Sequence, residues 1–197
     1  MNDMIKMVVV LTVLSMFSGG VLAFIKDTTA LDIENQKLKF VQGPAIKIIL
    51  EGATNELVKE RFKLKDGEAE HSIFVGVFDG NPNAVVIESF ATGYGGDVGF
   101  MVGIDTATDK IIGVGVTTHS ETPGLGARAK TDPVFSAQFK GMTSTDTHKV
   151  SKAGGKVNAI GGATITSSAV CAAATDVGDI YERLKPQILE KLKEFKK

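Results

Sequence analysis

The pattern of hydrophobic and polar positions divides the 197-residue chain into three regions. The segment Met7–Ile25 contains no charged residue and is about long enough for one helix across a bilayer core. Residues 28–66, including Glu56–Phe62, show mixed helical periodicity. From residue 71 onward, alternating β-branched stretches separated by turn residues indicate strands.

These patterns predict an α+β fold with an N-terminal transmembrane helix. The sheet is expected to be an antiparallel meander with strands at 71–78, 83–91, 98–105 and 111–118. Flanking helices are expected over Phe135–Phe139, over 167–184 and from Pro186 onward. We therefore expect a membrane anchor at 1–27, a membrane-proximal helical segment at 28–70 and a folded domain at 71–197.

The apolar N-terminal segment has two interpretations. Small residues at Val21–Ala23 have the spacing of a signal-peptidase site, so the segment could be a cleaved signal peptide. We expect it to be retained as a single-pass anchor. Lys6 precedes it, whereas Asp32 and Glu34 follow it, which predicts a cytoplasmic N-terminus and an extracytoplasmic domain.

Composition and charge exclude several classes of function. A formal net charge of -1 provides no basic surface for nucleic acid. Cys171 is the single cysteine, which excludes an internal disulfide and a four-thiolate iron–sulfur cluster, and we expect it to be a small buried side chain. The three histidines are dispersed, so no metal site is predicted. No Gly-x-Gly-x-x-Gly motif follows a strand, which argues against a dinucleotide fold.

The loop Asn158–Ser168 is built from very small residues and precedes a predicted helix. Gly161, Gly162 and Ala163 allow backbone N–H groups to approach an anion, and the helix start adds unpaired donors. The pattern therefore predicts a phosphate site within reach of Thr164. An ordinary helix start capped by Thr166 or Ser167 is the alternative interpretation.

A second loop, His119–Ala127, follows the last predicted strand. Its Thr122-Pro123-Gly124 stretch specifies a tight turn with exposed N–H groups, which can wrap a flat ring or its side chain. A third glycine-rich loop, Gly93–Gly96, precedes another strand. By itself a Pro-Gly turn is ordinary, but the complete Glu121–Gly126 hexad is much more specific.

In this order, the three motifs resemble the FMN-binding domain of respiratory flavoproteins. The chain is most similar to the G subunit of the Rnf-type ion-translocating ferredoxin:NAD oxidoreductase, a paralogue of the C subunit of the sodium-translocating NADH:quinone oxidoreductase. The family's attachment signature is Asp-x-x-Ser/Thr-Gly-Ala-Thr, whose last threonine bonds the FMN phosphate as a phosphoester. Aligned here, that threonine is Thr164, while Asn158 and Gly161 depart from the signature.

The resemblance implies a covalent FMN and a set of cofactor-binding residues, with no catalytic side chain and no metal. Those residues are Thr164 as the phosphoester, with Gly162, Ala163, Thr166, Glu121, Thr122, Gly124, Leu125, Gly126, Tyr94 and Gly95. Glu121 is expected to order its loop rather than act as a base. Lys156 and Thr166 are candidate second contacts to the phosphate.

The implied function is electron transfer through FMN within a membrane complex that couples ferredoxin oxidation and NAD reduction to sodium or proton movement. The implied partners are the other membrane and peripheral subunits of that complex, with a flavin transferase for maturation. Two alternatives stay open. One is a membrane-tethered binding or assembly protein without covalent flavin, which Asn158 and Gly161 favour; the other is a stand-alone extracytoplasmic flavoprotein reductase.

Overall fold

A computed structural model of the chain describes residues 2–196. These residues form two compact units, one ending at Lys39 and the other beginning at Phe40. The first unit is helical, and the second contains a sheet with helices on it. The α+β class with an apolar N-terminal helix is therefore confirmed, while the functional boundaries predicted at residues 27 and 70 stay a prediction.

Helix α1 (Asn2–Gln36) contains the apolar segment. An 18-residue window within its stretch Asp3–Ala30 has a mean hydropathy of 2.4, and the stretch is long and apolar enough to cross a membrane, a criterion that an N-terminal signal sequence also meets. Threonine hydroxyls inside the helix donate to carbonyls four residues earlier, Thr12 to Val8 at 2.8 Å and Thr28 to Phe24 at 2.9 Å. These polar groups are thus satisfied without water.

The sheet is an antiparallel meander of five strands in the order β1-β2-β3-β4-β5. Its strands are β1 (Arg61–Asp66), β2 (Ala69–Phe78), β3 (Asn81–Thr92), β4 (Asp97–Asp105) and β5 (Lys110–Val116). Ile73 pairs with Ile87, and Val102 pairs with Val114. The four predicted strands are confirmed within a few residues as β2 to β5.

Strand β1 lies where the sequence analysis predicts helix. The helical prediction for Glu56–Phe62 is wrong, because turns occupy that stretch and β1 begins at Arg61. Phe62 and Leu64 alternate with charged residues, and Phe62 packs against Phe195 with ring centroids 6.0 Å apart. The strand forms through this long-range packing and through pairing with β2. The helical expectation for residues 28–70 therefore holds only as far as Ile49.

Helix α5 (Thr164–Leu192) covers one face of the sheet with a long row of buried side chains that includes Val170, Val177 and Tyr181. The predicted break at Pro186 is wrong, because the helix continues through it. Proline removes one backbone hydrogen bond. Pro186 faces solvent, while Leu184 and Ile188 on either side of it remain buried, so packing on the sheet holds both halves in one helix.

Short helical elements occur at the boundary between the two units and within the second unit. They are a π-helical turn (Lys37–Gln42), α2 (Gly43–Ile49), α3 (Arg128–Thr131), α4 (Pro133–Ala137) and 3-10 turns at Ser151–Ala153 and Lys193–Phe195. The helix expected after Asp132–Pro133 is present as α4. The Asp132 carboxylate caps it by accepting a hydrogen bond from the Val134 N–H at 3.0 Å.

Helix α2 lies on the opposite face of the sheet from α5, against a notch of glycines on β4 and β5. A Cβ at Gly103 would overlap the Ile49 side chain, and one at Gly113 would lie 3.2 Å from the Ile49 Cα. A Cβ at Gly115 would meet the Ala45 Cβ at an ordinary 3.4 Å. Close approach of the helix backbone therefore requires glycine at the first two positions and tolerates alanine at the third.

We expect Gly103→Ala to lower the free energy of unfolding by about 1–3 kcal/mol, the usual cost of overpacking a core contact. Gly115→Ala is the matched control and should change stability much less, because its new methyl group fits. Thermal unfolding followed by circular dichroism compares the two variants. Equal melting temperatures would show that α2 does not pack into this notch.

Candidate functional site

Three loops that are distant in sequence meet at one end of α5. The turn Gly93–Gly96 joins β3 to β4 and is closed by a hydrogen bond from the Gly93 N–H to the Gly96 carbonyl at 2.8 Å. The loop Glu121–Gly126 follows β5, and Gly124 in its Pro-Gly turn has a φ of 77°, which favours glycine. The third loop, Asn158–Ala163, leads directly into α5.

The carboxylate of Glu121 joins two of these loops to the first turn of α5, which the third loop precedes. It is buried, with 6% of the residue exposed. Its Oε1 accepts a hydrogen bond from the Gly95 N–H at 3.0 Å, and its Oε2 accepts one from the Thr166 hydroxyl at 2.6 Å. The Glu121 N–H in turn donates to His119 Nδ1 at 3.3 Å. The hexad, the glycine turn and the first turn of α5 therefore share one side chain.

The net effect of these contacts is to keep Glu121 ionised. Burial is the largest influence and acts to raise the pKa of the carboxyl group, but hydrogen bonds from Thr166, Gly95 and Tyr94, with the charge of His119, outweigh it. The pKa of Glu121 consequently lies below its ordinary value. An ionised, fully bonded carboxylate orders its surroundings and is poorly suited to take up a proton near neutral pH.

Gly126 is required by this arrangement. A Cβ there would overlap Glu121 Oε2 and would come within 2.7 Å of Thr166 Oγ1. The glycine at the end of the hexad therefore leaves room for the hydrogen bond between Glu121 and Thr166.

The three loops enclose an open cavity of about 660 Å³. Its lining residues are Tyr94, Glu121, Thr122, Leu125, Gly126, Lys152, Gly162, Ala163, Thr164, Ile165 and Thr166. All the predicted site residues except Gly95 and Gly124 line this cavity. Gly95 instead donates a hydrogen bond to Glu121, and Gly124 provides the positive φ of the Pro-Gly turn. The role of each residue in binding FMN stays a prediction.

The start of α5 differs from an ordinary capped helix. Thr164 is its first residue and is half-buried, and the capping position is Ala163, which provides no side-chain hydrogen bond. The Ser167 hydroxyl accepts from the Ile160 N–H at 3.0 Å and donates to the Ala163 carbonyl at 2.9 Å, while Thr166 bonds Glu121. The alternative in which Thr166 or Ser167 caps the helix is therefore wrong.

Two lining residues were not predicted. Lys152, on the 3-10 turn Ser151–Ala153, and Ile165 both face the cavity. Lys156, the lysine expected near a phosphate, instead lines a separate small cavity beside His148. No sequence signal distinguishes the two lysines, because both are exposed residues in the same polar stretch and only the fold of the turn selects Lys152.

The two residues that depart from the attachment signature lie at positions where the fold does not require a particular side chain. Asn158 is exposed, and its backbone N–H and carbonyl are bonded by the Gln138 side chain at 2.7 and 3.2 Å. A Cβ at Gly161 would have no atom within 4 Å. Neither asparagine nor glycine is therefore demanded by the fold at these positions.

Cys171 lies on the buried side of α5, within the hydrophobic core. Burial raises the pKa of its thiol to about 11, so it stays protonated at neutral pH. The prediction of a structural cysteine is confirmed. Among residues 2–196, no group of three or more histidine, cysteine, aspartate or glutamate side chains is arranged to hold a metal ion.

Comparison with known proteins identifies the family of the chain. The FMN-binding domain family matches residues 93–178, a range that contains all three loops. The G subunit of the ion-translocating oxidoreductase complex from Methanosarcina acetivorans is 33% identical over 170 residues, which cover 86% of this chain and 89% of that one. The chain belongs to the G-subunit family of ion-translocating oxidoreductase complexes. The G subunit of Salmonella typhi is 34% identical, with 87% of each chain covered.

The G-subunit fold also occurs in a solved structure. The C subunit of the Na⁺-translocating NADH-quinone reductase from Parabacteroides distasonis superimposes with a TM-score of 0.60 at 23% identity, covering 77% of this chain and 94% of that one. The similarity identified from the three motifs is therefore confirmed at the level of the family, and the likeness to the paralogous C subunit is confirmed at the level of the fold.

The Thr166→Val variant tests the Glu121 junction. Since the folded-state pKa of Glu121 lies below its unfolded value of about 4.3, ionisation stabilises the fold above that pH, and this stabilisation is lost as the pH falls through the folded-state pKa. Loss of the Thr166 hydroxyl leaves the buried Glu121 Oε2 without this donor, so we expect about 1–3 kcal/mol of destabilisation at neutral pH. The same loss raises the folded-state pKa of Glu121, so the variant should unfold at a higher pH during acid titration.

Circular dichroism during acid titration measures this effect, and Thr164→Val is the matched control. Thr164 lies in the same helical turn, but its hydroxyl makes no hydrogen bond with Glu121. The control should follow the unmodified protein. If both variants unfold at the same pH, the hydrogen bond to Glu121 does not govern acid stability.

Proposed function

We propose that this protein carries FMN in the three-loop cavity, joined through its phosphate to the Thr164 oxygen, and transfers electrons within an ion-translocating oxidoreductase complex of the Rnf type. One observation carries the proposal. Thr164, which aligns with the family's acceptor threonine, is the first residue of α5 and lines the cavity enclosed by the three loops. Membership of the G-subunit family supports the same function.

The cavity has the size and chemistry that FMN requires. Its volume of about 660 Å³ falls within the range of roughly 300–1,000 Å³ typical of small-molecule sites. Tyr94, Leu125 and Ile165 give it exposed apolar side chains suited to a flat ring. The first turn of the 29-residue helix α5 offers backbone N–H donors without intrahelical partners, which suit a phosphate.

Charge in the cavity favours an anionic end near α5. Lys152 lines the cavity and makes no ion pair with any residue between 2 and 196. It would provide a point charge for the phosphate, in the role that the sequence analysis gave to Lys156. Glu121 is occupied by its hydrogen bonds to Gly95 and Thr166, and so holds the loops in place rather than binding the phosphate.

Bound FMN supplies the capacity to accept and release electrons, including one at a time. The protein positions the ring and adjusts its potential through neighbouring hydrogen bonds, and it needs no pocket for a hydride donor. Covalent attachment suits a domain outside the cytoplasm, where a dissociated flavin could not easily be replaced. A flavin transferase is the partner that this maturation requires.

We place the protein in the cytoplasmic membrane with α1 as a single-pass anchor, the N-terminus cytoplasmic and the flavin domain extracytoplasmic. The charges that flank the apolar segment support this orientation. Other subunits of the complex would exchange electrons with the flavin, while ferredoxin oxidation and NAD reduction are coupled to sodium or proton movement.

The signature departures at Asn158 and Gly161 support a second candidate, an assembly protein without covalent flavin.

The Thr164→Val variant tests attachment. Purified from a host with an active flavin transferase, the unmodified protein should carry the added mass of FMN on a fragment containing Thr164, and its denatured gel band should fluoresce. Thr164→Val should lose both signals while remaining folded, because the side chain is only half-buried. Thr122→Val, in the same cavity, is the control and should keep its flavin. Flavin retained by denatured Thr164→Val would overturn the assignment.

The Asn158→Asp variant tests the cost of the departure from the family signature. Because Asn158 is exposed and its backbone is held by Gln138, the carboxylate should be accommodated without loss of stability. We expect the flavinylated fraction, measured by intact mass after brief co-expression with the transferase, to rise. Gly161→Ser, which fills open space, should not lower it. An unchanged fraction for Asn158→Asp would show that asparagine serves the transferase equally well.

A further inference from the structure

Glu88 is a carboxylate on the face of the sheet that carries α2. Side chains alternate between the two faces along a strand, and the neighbouring Ile87 belongs to the core that α5 covers. Glu88 Oε2 accepts a hydrogen bond from the Gln42 side-chain amide at 2.5 Å, and Oε1 accepts one from the Thr117 hydroxyl at 2.6 Å. Both donor residues are buried. The carboxylate therefore joins the residue before α2 to the end of β5.

The hydrogen bond between Glu88 and Thr117 crosses a strand. Glu88 is part of β3 and Thr117 directly follows β5, while β4 lies between them in the sheet. Gly99 of β4 makes the crossing possible, because a Cβ there would lie 2.5 Å from Thr117 Oγ1. Glycine at this position therefore leaves room for the hydroxyl that Glu88 holds.

Thr117 is also held through its backbone. Its N–H donates to the Gly99 carbonyl at 2.8 Å, and its carbonyl accepts a hydrogen bond from Lys130 Nζ at 2.8 Å. Thr117 lies before the Glu121–Gly126 loop, and Lys130 lies after it on α3. The bond from Lys130 therefore connects the two ends of the segment that carries the loop, and the bond to Glu88 attaches the same point to the sheet.

The Glu121–Gly126 loop has weak internal bonding. Thr122 and Leu125 are exposed, and the N–H groups of Leu125 and Ala127 both donate to the Thr122 carbonyl at 3.2 Å. Hydrogen bonds that involve a carboxylate or an ammonium group are roughly twice as strong as those between neutral groups. The position of the loop therefore depends on its charged contacts, which are Glu121 within it and the bonds of Thr117 at its base.

We propose that Thr117, held by Glu88 and Lys130, is a positioning residue for the Glu121–Gly126 loop and, through the loop, for the FMN ring. Glu88, Thr117 and Lys130 do not line the cavity, so they act on the cofactor only through the loop. The effect on the ring rests on the proposed function, whereas the ordering of the loop does not. Because Gln42 shares the Glu88 carboxylate, the start of α2 is joined to the same base.

The Thr117→Val variant tests the proposal, because valine keeps the shape of the side chain and removes the hydroxyl. The first measurement is hydrogen–deuterium exchange of the full-length protein in detergent, read by mass spectrometry over residues 118–127. We expect exchange there to become about tenfold faster, the factor that loss of one hydrogen bond to a charged group produces. Thr117→Ser retains a hydroxyl and should restore slow exchange.

Thr106→Val is the matched control. The Thr106 hydroxyl donates to the Asn83 carbonyl at 3.1 Å in the turn between β4 and β5, at the opposite end of these strands from Thr117. Its loss should leave exchange over residues 118–127 unchanged. Lys130→Met is a second test variant for the case that Thr117→Val does not fold. Lys130 is exposed, and methionine keeps an unbranched side chain without the ammonium group, so the loop should again exchange faster.

The second measurement is the visible circular dichroism of the attached flavin, whose amplitude depends on a fixed position of the ring relative to the protein. We expect a smaller amplitude per attached flavin in Thr117→Val and recovery in Thr117→Ser, with no change in Thr106→Val. A loss of stability alone would not produce this pattern.

Two results would overturn the proposal. One is exchange over residues 118–127 that is no faster in the folded test variant than in Thr106→Val. The other is faster exchange with an unchanged flavin signal, which would show that the loop does not position the ring. Absence of flavin from the unmodified protein would instead contradict the proposed function, and the exchange measurement would still decide whether Thr117 orders the loop.

Discussion

The hydrogen-bonded carboxylate of Glu121 is the interaction on which the candidate site depends. It connects Gly95, 26 residues earlier, with Thr166, 45 residues later. A buried charge is costly unless its hydrogen bonds are made, so the Gly93–Gly96 turn, the Glu121–Gly126 loop and the first turn of α5 stabilise one another. Gly126 contributes by leaving space where a side chain would separate Glu121 from Thr166. The shape of the cavity is therefore a property of the complete junction rather than of any one motif.

Helix α5 gives this junction a rigid base. Its buried side chains run along the sheet to Leu192, so the position of its first turn is fixed by packing far from the cavity. Thr164 is thereby presented at the end of a long element rather than on a mobile loop, while Thr166 in the same turn is held by Glu121. The proposed acceptor and the Glu121–Gly126 loop therefore cannot move independently, which suits the proposed role of holding a cofactor in one place during electron transfer.

The two faces of the sheet pack against different helices. One face carries α5 and the core, and the other carries α2 in a notch of glycines. Close packing there fixes the rotation of α2 about its own axis, with Ile46 and Ile49 buried against the sheet. The α5 side of the sheet therefore carries the candidate site, while the α2 side contributes to the stability of the domain.

Local sequence was enough to specify the four strands β2 to β5, the short helix after Asp132, the apolar anchor segment and the three motifs, because each depends on residues that are near neighbours in the chain. The remaining features required the folded chain. Strand β1 depends on pairing with β2 and on the contact between Phe62 and Phe195; the passage of α5 through Pro186 depends on burial of its inner side. The choice of Lys152 over Lys156 at the cavity, and the bonds of Glu121, arise from contacts between distant segments, which local pattern does not encode.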